Sequence, residues 1–306
     1  MDLIAEIKRL KVEKDALLLA HYYVDGAIQD IADFVGDSLD LARAAKRSDK
    51  KRIIFAGVHF MAEGAKILNP ASKVLIPDMK AGCSLADSCP ADAFASFKAK
   101  VKNPFVVSYI NCSSEIKAMS DVICTSSNVE QIISRVPRDK TIIFAPDKNL
   151  GHFIQKKTGR PMLLWQGSCI VHETFSQKKL IEIQLDHPDA VLIAHPECES
   201  WLLDKANFVG STSKLLQYVK ETDAKKIIIA TEAGILHQMK KEAPDKLLIP
   251  APPHQNCQCN DCPYMKMNTL EAVYNCLVND GPEINISPEL QKKALAPLET
   301  MLEWSQ

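Results

Sequence analysis

Short apolar runs separated by amphipathic stretches set the rhythm of this chain. ALLLAHYY (16 to 23), FVVSYINC (105 to 112) and AVLIAHPE (190 to 197) each read as a buried strand ending in a polar or aromatic cluster. Aligned on His21, Tyr109 and His195, they lie 88 and 86 residues apart. A second set, DFVGDS (33 to 38), DVICTS (121 to 126) and NFVGST (207 to 212), ends on Ser38, Ser126 and Thr212 and repeats at the same 88 and 86. RIIFAGV (52 to 58), TIIFAPD (141 to 147) and KIIIATE (226 to 232) form a third set, and the apolar runs that precede cysteines form a fourth. Four segments sharing one period mark an internal repeat of roughly 87 residues.

Helical patterns such as LARAAKR and MAEGAKIL fill the gaps between strands. Strands alternating with helices predict parallel sheets covered on both faces. The expected fold class is therefore α/β, with three pseudo-threefold-related α/β/α sandwiches around a central site. Residues 1–98 make the first repeat with an N-terminal helix, 99–184 the second, and 185–306 the third with a C-terminal helix entered at Ser287-Pro288.

Composition narrows the function. The 306 residues are 46% hydrophobic, enough to bury a large core. Lys plus Arg number 37 against 38 Asp plus Glu, so no overall field recruits nucleic acid or an anionic membrane. No apolar run approaches the ~18 residues of a membrane span, and no targeting segment is expected. Ten cysteines without a signal peptide point to a reducing cytoplasm, where thiols serve as metal ligands or catalytic groups more often than as disulfides.

The cysteines carry the sharpest chemistry. Cys83 and Cys169 each follow a strand, and Cys257, Cys259 and Cys262 follow a third, so three repeats could aim thiolates at one centre. A [4Fe-4S] cluster ordinarily takes four thiolates, and three would leave one iron open to substrate. Zinc on three thiolates is the rival chemistry, and buried structural thiols are the plain alternative. The period favours Cys257, 88 residues after Cys169, over Cys262, 93 after it. Cys-x-Cys-x-x-Cys could instead be a surface metal clip or redox pair. Cysteines 89, 112, 124, 198 and 276 read as structural.

GDS (36 to 38), TSSN (125 to 128) and GSTS (210 to 213) place small hydroxyls between strand and helix, where backbone amides and the helix dipole favour anions. Any one alone is an ordinary helix cap; three together suit a substrate with several carboxylate or phosphate groups. His21, Tyr22, Tyr23, Tyr109, His195 and Glu197 are the candidates for acid and base work. Histidines 59, 152, 172, 187, 237 and 254 read as packing or surface residues, although His172 lies close to Cys169.

Taken in order, AHYY with IQDIADFVGDS, FAGVHFMAEGAKILNP, GCSLAD, YINCSSEIK, DVICTSSN, IFAPDKNLG, HPEC, VGSTS and CPYMKMNTLE resemble the quinolinate synthase family of de novo NAD synthesis. The resemblance runs over nearly the whole chain. It implies condensation of iminosuccinate with dihydroxyacetone phosphate to quinolinate, phosphate and water, on one [4Fe-4S] cluster per chain held by three cysteines. Those are Cys83, Cys169 and Cys262, the last because the family's cysteine precedes the stretch here spanning Met265 to Glu271, which overrides the period. It further implies substrate binding by His21, Ser38, Tyr109, Ile110, Asn111, Ser126, His195, Pro196, Glu197 and Thr212, with Tyr23, His21, Tyr109, His195 and Glu197 in catalysis. Functional contact with an aspartate-oxidising enzyme that supplies the imine is expected as well. Tyr22 departs from the Asn of many members. Cys257 and Cys259 are one residue closer than the family's proposed redox pair, a gap that strains a disulfide. A non-enzymatic iron-sulfur redox sensor and a zinc-dependent hydrolase are the alternatives.

Overall fold

The computed structural model describes residues 2–254 and 260–306. Each repeat builds a four-stranded, fully parallel sheet. The first contains β1 (Ala16–His21), β2 (Phe34–Gly36), β3 (Arg52–Ala56) and β4 (Lys73–Leu75). The second contains β5 (Pro104–Tyr109), β6 (Val122–Cys124), β7 (Thr141–Ala145) and β8 (Met162–Leu164), and the third β9 (Val191–Ala194), β10 (Phe208–Val209), β11 (Lys226–Ala230) and β12 (Leu247–Pro250). Spatial order is the same three times: second strand, first, third, fourth. The α/β reading and its threefold repeat hold.

Register repeats as faithfully as order. Ala20 faces Ala56, Ser108 faces Ala145, and Ala194 faces Ala230, each pair one residue before the aligned His21, Tyr109 or His195. Central strands are buried on both faces, which explains why RIIFA, TIIFA and KIIIA read as continuous apolar runs and not as alternation. A helix such as Ser38–Arg47 covers its sheet with Leu39, Leu41, Ala42 and Ala45, and Asp37 caps it by accepting from the amides of Leu39 and Asp40.

The C-terminal segment returns across the molecule. Helix Leu270–Asn279 packs on the N-terminal helix Leu3–Glu13, and helix Pro288–Trp304 packs on Ser114–Met119 and His59–Leu68, its Trp304 stacked on Phe105. Asp280, between these helices, pairs with Arg52 at 2.5 Å and Lys73 at 2.9 Å, tying the return to the first sheet. No helix among the described residues is long and apolar enough to cross a membrane.

Candidate active site

A cavity, part of it open to solvent, lies where the carboxyl ends of the three sheets meet. Beyond β1, β5 and β9 the chain turns at once: the amides of Val24, Cys112 and Cys198 donate to the carbonyls of His21, Ile110 and His195, and these turns bring alternate residues to the same side. His21 and Tyr23, Tyr109 and Asn111, and His195 and Glu197 line the cavity. The residues between them, Tyr22, Ile110 and Pro196, do not, and Ile110 packs into the main core.

The hydroxyl positions converge on the same space: Ser38, Ser126 and Thr212 all line it. They are not three equal cradles. Ser38 and Thr212 are the first residues of ten-residue helices capped by Asp37 and Ser211, whereas Ser126 sits in a turn before helix Val129–Arg135. That turn is held by Asn128 Oδ1, which accepts from the amide of Thr125 at 2.7 Å.

Cys83, Cys169 and Cys262 line the cavity from three loops. In each case the backbone N–H groups two and three residues on favour the thiolate: Leu85 and Ala86, Val171 and His172, Tyr264 and Met265. The other two candidates, Cys257 and Cys259, lie outside the described residues.

Over residues 5–303 the chain matches the family model described as quinolinate synthetase A protein. The chain belongs to the quinolinate synthetase A family. Proteins named quinolinate synthase from Nostoc punctiforme and Microcystis aeruginosa are 58% identical over 305 and 304 residues, covering 100% and 99% of this chain and 94% and 95% of theirs. Their counterpart from Thermosynechococcus vestitus is 56% identical over 306 residues, covering 100% of this chain and 96% of its own.

Electrostatics divide this family member's cavity into neutral and ionised groups. Burial takes His21 down to about 4 and His195 to about 3, so both imidazoles are neutral at pH 7. His195 Nε2 lies 3.2 Å from Ser126 Oγ, and its ring stacks on His172 at 4.8 Å. Burial alone would raise Glu197, but His172, His195 and the Tyr109 hydroxyl together outweigh it and hold the carboxyl ionised. Tyr109 donates to Glu197 Oε1 at 2.5 Å. Burial, and then Glu197, push the Tyr109 hydroxyl well above its ordinary range. Tyr23 is pushed up by burial too, its hydroxyl 2.8 Å from both Thr212 Oγ1 and Thr231 Oγ1.

Those bonds join end to end. Thr231 Oγ1 lies 3.1 Å from His172 Nε2, and His172 Nδ1 lies 3.2 Å from Glu197 Oε2, off a good hydrogen-bond line. A chain of polar groups thus runs from Thr212 through Tyr23, Thr231, His172 and Glu197 to Tyr109.

Thiol chemistry supplies the test of whether a cluster fits. Burial raises Cys83 to about 12 and Cys169 well above its ordinary range, and raises Cys262 as well; Cys83 feels Cys262, and Cys169 feels Cys83. Neighbouring buried thiols of this kind ionise together only against bound cations. Backbone amides favour the thiolate at each sulfur, so the donor set fits an iron-sulfur cluster. A smaller group, Cys169 with His172 and Glu197, has ligand atoms within 4.8 Å of one another and could hold a single ion, but it leaves Cys83 and Cys262 without a role.

Among the lining residues that escaped the reading of the sequence, His172 and Glu232 stand out. His172 was placed among packing or surface histidines, yet it is 3% exposed and central to the polar chain. Its sequence signal was proximity to Cys169. Glu232 is fully buried, accepts from the Cys262 amide at 3.1 Å and meets Lys266 Nζ at 3.2 Å; burial raises it to about 7. Its signal was the third strand set, whose last residues align Val58, Asp147 and Glu232. Two carboxylates at strand-end positions, one of them also buried beside a helix start, stood in a segment read for its apolar pattern alone.

Proposed function

We propose that this cavity makes quinolinate, condensing iminosuccinate with dihydroxyacetone phosphate and releasing phosphate and water, with a [4Fe-4S] cluster on Cys83, Cys169 and Cys262. The observation that carries the reading is that three cysteines from three loops line the same cavity as the acid-base residues. When bound, a cluster with three protein ligands supplies a Lewis-acidic iron with a position open to a substrate oxygen. The chain's own residues do the rest. Ser38 and Thr212, at helix N-termini, and Ser126 bind the anionic groups. Asn111 Oδ1, buried without a partner, is free to accept from substrate. Glu197, ionised at neutral pH, takes protons; Tyr109 and His172 hold its oxygens in place. Tyr23 keeps its proton and donates it, recharged through Thr231 and His172. His21 and His195, neutral, orient polar groups without repelling or neutralising substrate charge.

The imine is a labile product of aspartate oxidation, so an aspartate-oxidising enzyme is the natural supplier, and a reducing cytoplasm keeps the ligand thiols available. The test is an anaerobic assay for quinolinate from aspartate-derived imine and triose phosphate, with a visible spectrum of the same sample. A coloured protein forming quinolinate is expected. A coloured protein forming none would favour a redox sensor, and a colourless zinc protein would favour a hydrolase.

A further inference from the structure

Both substrates assigned to the cavity are dianions, yet no lysine or arginine lines it among the described residues. His21 and His195 are neutral, and helix N-termini contribute only partial charge. A full cation lies one layer behind. Lys117, on helix Ser114–Met119, is completely buried. Its ammonium donates to the carbonyl of Cys112 and sits over the ring of Phe60, 5.5 Å from the centroid. Phe60 is itself cavity wall, and Asn111, the residue before Cys112, presents its unpartnered Oδ1 there.

Among the described residues Lys117 has no ion-pair partner within 4.0 Å. The acid felt by the neighbouring Cys112 thiol is Glu63, on helix His59–Leu68, whose carboxylate lies 3.7 Å from His59. Burying an ammonium without a carboxylate is costly, and a donor for one carbonyl does not require a charge. We propose that Lys117 is a specificity-determining residue. Its charge acts through the Phe60 and Asn111 wall to favour doubly charged ligands, where the low dielectric lets a cation reach several ångströms. Its bond to Cys112 also braces a tight turn, closed by the Cys112 amide on the Ile110 carbonyl at 2.8 Å, that holds Asn111 at its apex.

This inference rests on the cavity being a site for dianions, and the test separates the two. Calorimetry on anaerobically prepared, iron-loaded protein compares quinolinate, a dianion, with picolinate, its monoanionic relative. Wild type is expected to prefer quinolinate. Lys117→Gln still donates to Cys112 but carries no charge; it should weaken quinolinate about tenfold and picolinate about threefold or less, while Lys117→Arg keeps the preference. If Lys117→Gln does not accumulate as folded protein, Lys117→Met serves the same comparison. An unchanged ratio between the two ligands in the uncharged variant, including an equal loss for both, would overturn the inference. Wild-type protein that binds neither ligand would overturn the reading of the cavity, and this inference with it.

Discussion

Tyr23 and Glu197 occupy the same place in two copies of one fold, two residues beyond the aligned histidines His21 and His195. Their surroundings divide them. Tyr23 faces two hydroxyls of the third repeat, Thr212 and Thr231, and burial keeps its proton on. Glu197 faces His172, His195 and a tyrosine of the second repeat, and its proton is off. The shared backbone decides where a side chain points; burial keeps the proton on Tyr23, whereas His172, His195 and Tyr109 outweigh burial at Glu197. At the sulfur positions the three repeats agree instead, each offering the cavity one cysteine whose thiolate is favoured by the amides two and three residues on. The molecule is therefore symmetric where it would hold a cluster and asymmetric among the acidic and basic groups around it.

The largest effects should come from breaking the symmetric part. Cys83→Ser, Cys169→Ser and Cys262→Ser should each abolish iron loading and reduce quinolinate formation to background, measured by iron content, visible spectrum and turnover. One variant that stays fully loaded and active would show that the three sulfurs are not equivalent. On the asymmetric side, Glu197→Gln keeps shape but removes the base, so kcat should fall about 10^2 to 10^4-fold with iron content unchanged. Tyr23→Phe should fall less, about 10 to 10^2-fold, because Thr231 and water can still pass a proton. Equal kinetics for either variant and wild type would remove that residue from the chemistry.

The histidines give a pH test of the same asymmetry. Their pKa values drop from the ordinary 6.5 to about 4 for His21 and about 3 for His195 on burial. Between 6.5 and those values the unfolded chain binds more protons than the native one, so stability rises with pH there. The contribution is complete above pH 6.5 and is lost as pH falls toward 4. Each depressed unit corresponds to about 1.4 kcal/mol, so the combined loss is on the order of several kcal/mol. Glu232, raised to about 7, works in the opposite sense between pH 4.5 and 7, so the test is the difference between two proteins: in denaturant unfolding from pH 7 to 4, His21→Asn should lose less stability than wild type by one histidine's share. A slope unaltered in that variant would place the acid sensitivity elsewhere.

Much of this was legible because the period survives in the apolar strand cores, where burial on both faces constrains every residue. KVLIP, PMLLWQGSC and KLLIP all became fourth strands, and His21, Tyr109 and His195 fell at equivalent sheet ends. What could not be read was set by loops packed across repeats. His172 has no periodic counterpart that marks it, and its role comes from Thr231 and Glu197, residues far from it in sequence. Counting favoured Cys257 as the third sulfur because counting assumes loops of equal length, and resemblance pointed to Cys262; Cys262 lines the cavity, and Cys257 lies outside the described residues. The Ser126 cradle read like its counterparts in residue type, but Asn128 uses its side chain to close a turn and postpones the helix.

The smallest effect tests the alternation that turns strand ends into a lining. Ile110 stands between Tyr109 and Asn111, 3% exposed and within the core, while both neighbours face the cavity. Trimming it to Val removes one buried methylene, with an expected cost of about 0.5 to 1.5 kcal/mol read from denaturant midpoints. Because the side chain points away from substrate, KM and kcat should stay near wild type. Asn111→Ala, one residue on, should do the reverse, leaving stability nearly unchanged and raising KM, since Oδ1 has no protein partner to lose. If Ile110→Val raised KM as much as Asn111→Ala, the turn beyond β5 would have to bring Ile110 to the cavity along with Tyr109 and Asn111.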